Sequence, residues 1–467
     1  MGIDSKVFDI IVIGGGPAGY SAAVRAGRLG GSVALVERRA LGGVCLNEGC
    51  IPTKFLLNVV DILSLKQRAA RMGIEISGVK LDLQEVMKSK ELIIKRLRRG
   101  IELMMEANRV RVFKGTGTLI DREEVMVSQD NGERCVLKAK NVIVATGSRP
   151  FKPPIPGIDG KNVITNEEAL ALQRVPSKVV IIGGGSMGVE FATILRSFGA
   201  QVSIVEMLPR ILPLEDSEIS MELHRNLTRL GVSIYTNAKV VEIKDEGEEK
   251  VVRYTSNNTV GEVKGDLVLL ASGRRPNVEG LGLEKLGVIF SKDGIVVNEH
   301  METNVRGIYA AGDVVGKYLL AYTAFEEGIV AAENAMGNDV SIDYTAIPRC
   351  TFSRPEVGAV GLTEDEARRK GYDIAIGKFP FRACGRAVVE GEMEGFVKII
   401  TDRKDGRILG VHIIGHGATE LIHEAVLALK MNATVAQLSS TYHAHPTFSE
   451  AIKEAALDIY GRAIHKV

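Results

Sequence analysis

Tryptophan is absent, aromatic residues make up only 5% of the chain, and cysteine occurs five times in 467 residues. The shortage of rings argues against platforms that stack sugars or bases. Five cysteines are too few for a secreted disulfide framework, and an odd number leaves at least one thiol free. A reducing cytoplasm is therefore the expected location. A surplus of charge is missing too: 59 basic residues face 58 acidic ones, for a net charge of +1. Such a balance offers no electrostatic footing for nucleic acid or an acidic membrane surface, and neither is expected as a partner. Apolar runs are strand-length and broken by Gly or charge, so no spanning helix is expected. Asp4 and Asp9 fit no signal peptide, and Lys6 stands where myristoylation would need Ser or Thr.

Glycine is abundant instead, at 51 residues, so backbone must turn sharply or approach something closely in several places. The length suggests about three domains. Ile10 to Ile13 runs into Gly14-Gly15-Gly16-Pro17-Ala18-Gly19, an Ala-rich helix, and a strand Val33 to Val36 closed by Glu37. The pattern returns at Val179 to Ile182, Gly183-Gly184-Gly185-Ser186-Met187-Gly188, a helix, and Val202 to Val205 closed by Glu206. First glycine and closing acid stand 23 residues apart in both copies, 14 to 37 and 183 to 206. In a dinucleotide fingerprint the first glycine (Gly14, Gly183) makes the turn, and the second (Gly16, Gly185) admits a pyrophosphate. The third (Gly19, Gly188) lets helix pack on strand, and the acid (Glu37, Glu206) accepts ribose hydroxyls. A single such motif is weak evidence. Two with strand, helix and acid in place point to two nucleotides.

Each copy has a later strand ending in small residues, Val142 to Val144 before Ala145-Thr146-Gly147 and Leu267 to Leu270 before Ala271-Ser272-Gly273. These ends belong at the carboxyl edge of a sheet, where a ligand meets backbone. A further strand ends in Gly312-Asp313; the acid fits either a second contact to a long cofactor or a helix N-cap. Pro150 to Gly160 reads as a linker, and from about Ser341 the texture becomes that of a separate α+β domain.

Beyond Glu37 comes Leu41-Gly42-Gly43-Val44-Cys45-Leu46-Asn47-Glu48-Gly49-Cys50-Ile51-Pro52-Thr53-Lys54, with Cys45 eight residues past the acid. Five residues apart on one ideal helix, the two cysteines would lie too far apart to bridge, but the glycines allow an irregular backbone. Thiols at a helix start near Lys54 would be acidified. Two core cysteines or half a metal site are the alternatives, and no second Cys/His pair nearby favours metal. Cys135, Cys350 and Cys384 are isolated. Near the C-terminus, His443-Ala444-His445-Pro446-Thr447-Phe448-Ser449-Glu450 offers a base oriented by a carboxylate, without choosing between the two histidines.

The redox loop, both fingerprints, the Gly312-Asp313 strand end and the His-Pro-Thr-x-x-Glu terminus together resemble the flavoprotein disulfide reductases (class I pyridine nucleotide-disulfide oxidoreductases), and within them those that oxidise dihydrolipoamide. The resemblance spans residues 8 to about 455. It implies an α/β fold with two Rossmann-like domains and a C-terminal α+β dimerisation domain. The boundaries it suggests are 1–150 (FAD-binding), 151–275 (NAD-binding), 276–342 (completing the FAD site) and 343–467 (dimerisation). It further implies that Cys45 meets substrate and Cys50 faces the flavin, the two forming a redox-active disulfide. Lys54 and Glu190 would pair near the flavin, and His445 of the partner subunit, held by Glu450, would be the base. FAD and NAD are the implied cofactors. The implied partners are a second copy of the chain, and dihydrolipoamide carried on a lipoyl-bearing acyltransferase core or glycine-cleavage carrier protein. Val44 where Thr is usual, and Glu48 between the cysteines, depart from the pattern. A glutathione-type reductase would need Arg near position 206 for NADP, and a mercuric reductase a C-terminal Cys pair. A structural subunit would not be expected to retain Cys45, Cys50, His445 and Glu450.

Overall fold

Apolar runs with no polar alternation, such as Ile10 to Ile13 and Val33 to Val36, suit parallel strands covered on both faces. The computed structural model, which describes residues 2–466, places them so. Val33–Glu37 and Arg134–Val144 flank Gly2–Ile13 in parallel, with Ile11 opposite Ala34 and Val142. Arg111–Lys114 closes one edge, and an antiparallel meander through Glu124–Ser128 and Thr116–Asp121 extends the other. Ile308–Ala310 also pairs in parallel with Arg134–Val144, so the chain leaves this sheet and returns to it late. The excursion builds a second parallel sheet in the order Val232–Tyr235, Gln201–Val205, Lys178–Ile182, Leu267–Leu270, Val163–Ile164. The exit and return segments, Ser148–Pro150 and Arg274–Pro276, pair as an antiparallel ribbon. The Pro-rich stretch read as a linker thus begins beside a strand that carries the chain back.

The C-terminal region is a five-stranded antiparallel sheet in the order Arg349–Thr351, Glu356–Gly361, Ile408–Gly415, Phe396–Asp402, Ile374–Pro380. Helices Ala418–Lys430 and Glu450–Asp458 supply Ile422, Ala425, Ile452 and Ala455 to its core. Among the described residues no helix is long and apolar enough to cross a membrane.

One buried cation joins this sheet to the second. The Lys398 side chain is 0% exposed, and its ammonium lies 2.9 Å from Asp216, 2.9 Å from Glu218 and 2.8 Å from Glu364. Beside it, Arg349 pairs with Glu215 at 3.0 Å. Burial is the largest influence on the three carboxyls and pushes them up. His412 and Lys398 outweigh it at Asp216, Lys378 and Lys398 at Glu218, and Lys398 and Arg368 at Glu364, so that all three end below the usual carboxylate range. Burial also pushes the His412 imidazole down to about 4. These shifts share one sign. Acid should weaken the fold, first as pH falls below about 6.5 and an unfolded His412 would gain a proton. The further loss comes below about pH 4, as the carboxylates protonate. Lys398→Met should cost about 3–5 kcal/mol at neutral pH in urea unfolding, because it strands buried carboxylates. The variant should also lose less stability on acidification than the wild type.

Candidate active site

At the first glycine turn, Gly14 has φ +107° and a Cβ there would lie 2.2 Å from the Ala145 carbonyl oxygen. A Cβ on Gly19 would lie 1.8 Å from the Gly14 oxygen. The second turn repeats this at Gly183 (φ +111°, 2.4 Å from the Ala271 oxygen) and Gly188 (2.0 Å from the Gly183 oxygen). The middle glycines differ. A Cβ on Gly16 would meet nothing nearer than 3.7 Å, and one on Gly185 nothing within 4 Å. Protein packing demands the first and third glycines but not the second, which borders open space at a helix start. Helices Pro17–Arg28 and Ser186–Ser197 have Gly16 and Gly185 as N-caps with no side-chain cap, leaving amides for an anion. Both sites fit a dinucleotide pyrophosphate.

The closing acids have a task the sequence did not reveal. Glu37 accepts the Gly15 N–H at 2.7 Å and the Arg39 N–H at 2.6 Å. Glu206 accepts the Gly184 N–H at 2.6 Å and the Leu208 N–H at 2.7 Å. Each carboxylate braces its own turn with one bond per oxygen, keeping further lone pairs for ribose hydroxyls. A cavity of about 570 Å³ opens beside Glu37, lined among others by Arg39, Leu41, Arg98 and Lys114.

At the strand ends, the Thr146 hydroxyl donates to the Asn277 carbonyl at 2.8 Å, and the Asn277 amide N–H donates to the Gly147 carbonyl at 2.9 Å. Gly273, at φ +101°, has nothing within 4 Å of its Cβ position. Asp313 is not a helix N-cap; Gly312 holds that position. The Asp313 carboxylate instead accepts the Ser148 hydroxyl at 2.5 Å, and Arg274 donates to that same hydroxyl oxygen at 2.7 Å. Burial pushes the Asp313 carboxyl up, against the Ser148 bond and the Arg274 charge.

The cysteines occupy two helices. Cys45 lies in Gly43–Glu48, and Cys50 opens Cys50–Arg71 after a break at Gly49. Asn47 fixes the loop by donating to the Leu41 and Gly43 carbonyls, and Arg98 grips its side-chain oxygen at 2.6 Å. Both sulfurs are free thiols in this structure and are hydrogen-bonded to each other. That bond is the largest influence on each, and it makes the pair unequal. It holds the Cys50 thiol below its ordinary value, aided by the Lys54 charge against the cost of burial. It pushes Cys45 far up, with burial adding to the effect. A place at the first position of a 22-residue helix favours a Cys50 thiolate as well.

Lys54, one turn on, pairs with both oxygens of Glu190 at 3.1 and 2.9 Å and lies 4.4 Å from the Phe352 ring. Glu190 also accepts the Phe352 N–H at 2.9 Å. One carboxylate therefore joins the redox helix, the second glycine-turn helix and the C-terminal region. Glu48 is engaged away from the sulfurs. Arg39 donates to its carboxylate at 2.9 Å, and Asn166 to its carbonyl at 2.7 Å.

The geometry separates the two histidines. The His443 side chain is 5% exposed, with Nε2 on Glu424 at 2.9 Å and Nδ1 on the Thr441 carbonyl at 3.2 Å. His445 places Nδ1 on Glu450 at 2.9 Å, and its side chain is 77% exposed. The other Glu450 oxygen accepts the Thr447 N–H at 2.9 Å. Of the two, only His445 offers an accessible ring nitrogen backed by a carboxylate.

Comparison with known proteins agrees with this architecture. Residues 8–328 match the family described as pyridine nucleotide-disulphide oxidoreductase, and residues 347–456 match its dimerisation domain. A dihydrolipoyl dehydrogenase of Bacillus subtilis is 41% identical, over 98% of this chain and 99% of its own length. The mitochondrial dihydrolipoyl dehydrogenase of Pisum sativum is 40% identical, over 98% of this chain and 92% of its own. Among solved structures, LpdA from Mycobacterium tuberculosis superposes with a TM-score of 0.88 at 28% identity, covering 96% of this chain and 98% of that one.

Proposed function

We propose, from the premise that the chain belongs to the pyridine nucleotide-disulphide oxidoreductases, that it is an NAD-dependent dihydrolipoyl dehydrogenase carrying FAD and acting as a homodimer. The observation that carries the reading is the Cys45/Cys50 pair at a helix start, one turn from the Lys54–Glu190 pair that reaches the second glycine-turn helix. FAD belongs at the first turn, with Gly14, Gly16, Gly19, Glu37, Lys54, Thr146, Gly147, Gly312 and Asp313. NAD belongs at the second, with Gly183, Gly185, Gly188, Glu190, Glu206 and Gly273. The FAD-binding unit is assigned to 1–150, the NAD-binding unit to 151–275, the segment completing the FAD site to 276–342 and the dimerisation domain to 343–467. The lipoyl group arrives on an acyltransferase core or a glycine-cleavage carrier protein, in the cytoplasm.

In the oxidised enzyme Cys45 and Cys50 are joined. Nε2 of His445 of the partner subunit takes a proton from one thiol of dihydrolipoamide, and Glu450 stabilises the imidazolium. The substrate thiolate attacks Sγ of Cys45, breaking the Cys45–Cys50 bond. Cys50 leaves because the helix start and Lys54 favour its thiolate, making it the better leaving group. The second substrate thiol then displaces Cys45 from the mixed disulfide. Lipoamide departs, and its two electrons remain on the dithiol, with a proton on Cys45 shared toward Cys50. FAD held at the first glycine turn would supply the two-electron relay that takes the pair from the dithiol, so that the Cys45–Cys50 bond re-forms, and delivers it to NAD at the second turn.

Steady-state turnover of dihydrolipoamide with each nucleotide tests the reading. Glu206 gains hydrogen bonds from the ribose hydroxyls of NAD but would face the phosphate of NADP. Lost bonds and added repulsion should cost about 3 kcal/mol, giving kcat/KM for NAD roughly a hundredfold above that for NADP. Arg210, four residues beyond Glu206, lies 3.8 Å from Asp365 in the C-terminal region. Glu206→Ala should narrow the ratio mainly by weakening NAD, and comparable values in the wild type would refute the assignment.

A further inference from the structure

We propose that Glu327, acting with Tyr344, is a positioning residue that holds the Gly312–Asp313 turn in place for FAD. Cofactor retention is thereby tied to the segment that leads into the C-terminal domain. The inference rests on the reading above, that FAD is bound beside Asp313.

Glu327 lies on helix Ala321–Ala335 and is 0% exposed. That helix sits hard against the first glycine-turn helix: a Cβ on Gly328 would come within 2.2 Å of the Ala18 carbonyl oxygen. One oxygen of Glu327 accepts the Gly312 N–H at 2.7 Å. The other accepts the Tyr344 hydroxyl at 2.7 Å. Gly312 has φ +81°, and this turn brings Asp313 round to the Ser148 hydroxyl. The carboxylate thus fixes the amide immediately before the acid assigned to FAD. Tyr344 is held in turn by the Lys317 ammonium, 3.8 Å from its ring centre, and by Tyr318, with ring centres 5.1 Å apart. Its neighbour Asp343 pairs with Lys430 at the end of helix Ala418–Lys430.

A buried carboxylate costs free energy unless its charge is used. Burial is the largest influence on Glu327 and pushes its carboxyl up to about 7. Tyr344, the Gly312 N–H and Lys317 oppose that rise, and Asp313 adds to it. The ionised form accepts both donors. The protonated form can donate its O–H to the Tyr344 oxygen, but it then meets the Gly312 N–H as a neutral group and holds it more weakly. A carboxyl raised above its unfolded value makes the empty fold less stable as pH climbs from about 4.5 to 7. FAD should favour the ionised form, so its binding should release a proton over that range and tighten as pH rises.

The test follows flavin fluorescence as FAD leaves the purified wild type, Glu327→Gln and Tyr344→Phe at pH 6 and pH 8. Wild type should release FAD on the order of tenfold faster at pH 6, about the worth of one charge-assisted hydrogen bond. Glu327→Gln should release it fast at both pH values, and Tyr344→Phe should shift the change to higher pH. The melting temperature of the flavin-free protein separates positioning from simple support. Flavin-free Glu327→Gln, relieved of a buried charge, should melt at pH 8 no lower than wild type. Release from Glu327→Gln at the wild-type rate and with the wild-type pH dependence would overturn the inference, as would faster release matched by a lower melting temperature of the flavin-free variant. A wild type purified without any flavin would instead overturn the reading on which the inference rests.

Discussion

Cys50→Ser is expected to lower dihydrolipoamide turnover by at least about a thousandfold, because no disulfide remains for the substrate thiolate to open. Cys45→Ser should be as inactive in turnover for the complementary reason, that the attacked sulfur is gone. The two variants should differ in their spectra. A thiolate against bound flavin absorbs at long wavelength, and that band should vanish in Cys50→Ser and survive in Cys45→Ser. Its pH dependence is a sharper check. The hydrogen bond from Cys45 is the largest influence holding the Cys50 thiol down. In Cys45→Ala the band should therefore appear only at higher pH than in the reduced wild type. A band that survives Cys50→Ser would exchange the roles of the two sulfurs.

His445→Ala should reduce turnover by about 10² to 10⁴, the usual worth of a positioned general base. Glu450→Gln should cost less, since the amide can still hold the ring but no longer stabilises its charge. His445 is exposed on its own chain, and 395 residues (445 − 50) separate it from Cys50. A site completed across the dimer makes two dead variants mutually curative. Dissociated and remixed Cys45→Ser and His445→Ala chains should recover about a quarter of wild-type activity, since half the dimers are mixed and each holds one complete site of two. If the mixture stays inactive while remixed wild type recovers, the site is built within one chain.

What could be read in the sequence was local. Gly14 to Glu37 and Gly183 to Glu206 are self-contained units whose strand, turn, helix and acid follow one another directly, so spacing alone exposed them. The Gly-flanked loop from Cys45 to Lys54 was legible for the same reason. What escaped depends on partners brought together by the fold. Phe352 meets Glu190 across 162 residues, and Ser148 meets Asp313 across 165. Glu327 looks like any acid in an Ala-rich helix until Gly312 and Tyr344 close on it. The choice between His443 and His445 needed Glu424, which silences the first. Even the bracing of the glycine turns by Glu37 and Glu206 was hidden, because hydrogen bonds to one's own loop leave no periodic trace.

The ion cluster around Lys398 bears on what counts as a separable piece of this molecule. The boundary between the two family regions falls between residues 328 and 347, and a cut there would look harmless on a sequence diagram. Yet Lys398 and Glu364 lie on one side of that cut, and Asp216 and Glu218 on the other. Severing them would leave an ammonium without most of its counter-charge on one fragment and two bereft carboxylates on the other. The modules of descent and the units of cooperative melting therefore need not coincide. In this chain the Lys398 cluster, with Arg349–Glu215 beside it, ties the nucleotide-binding sheet to the dimerisation sheet, and the two are expected to melt together.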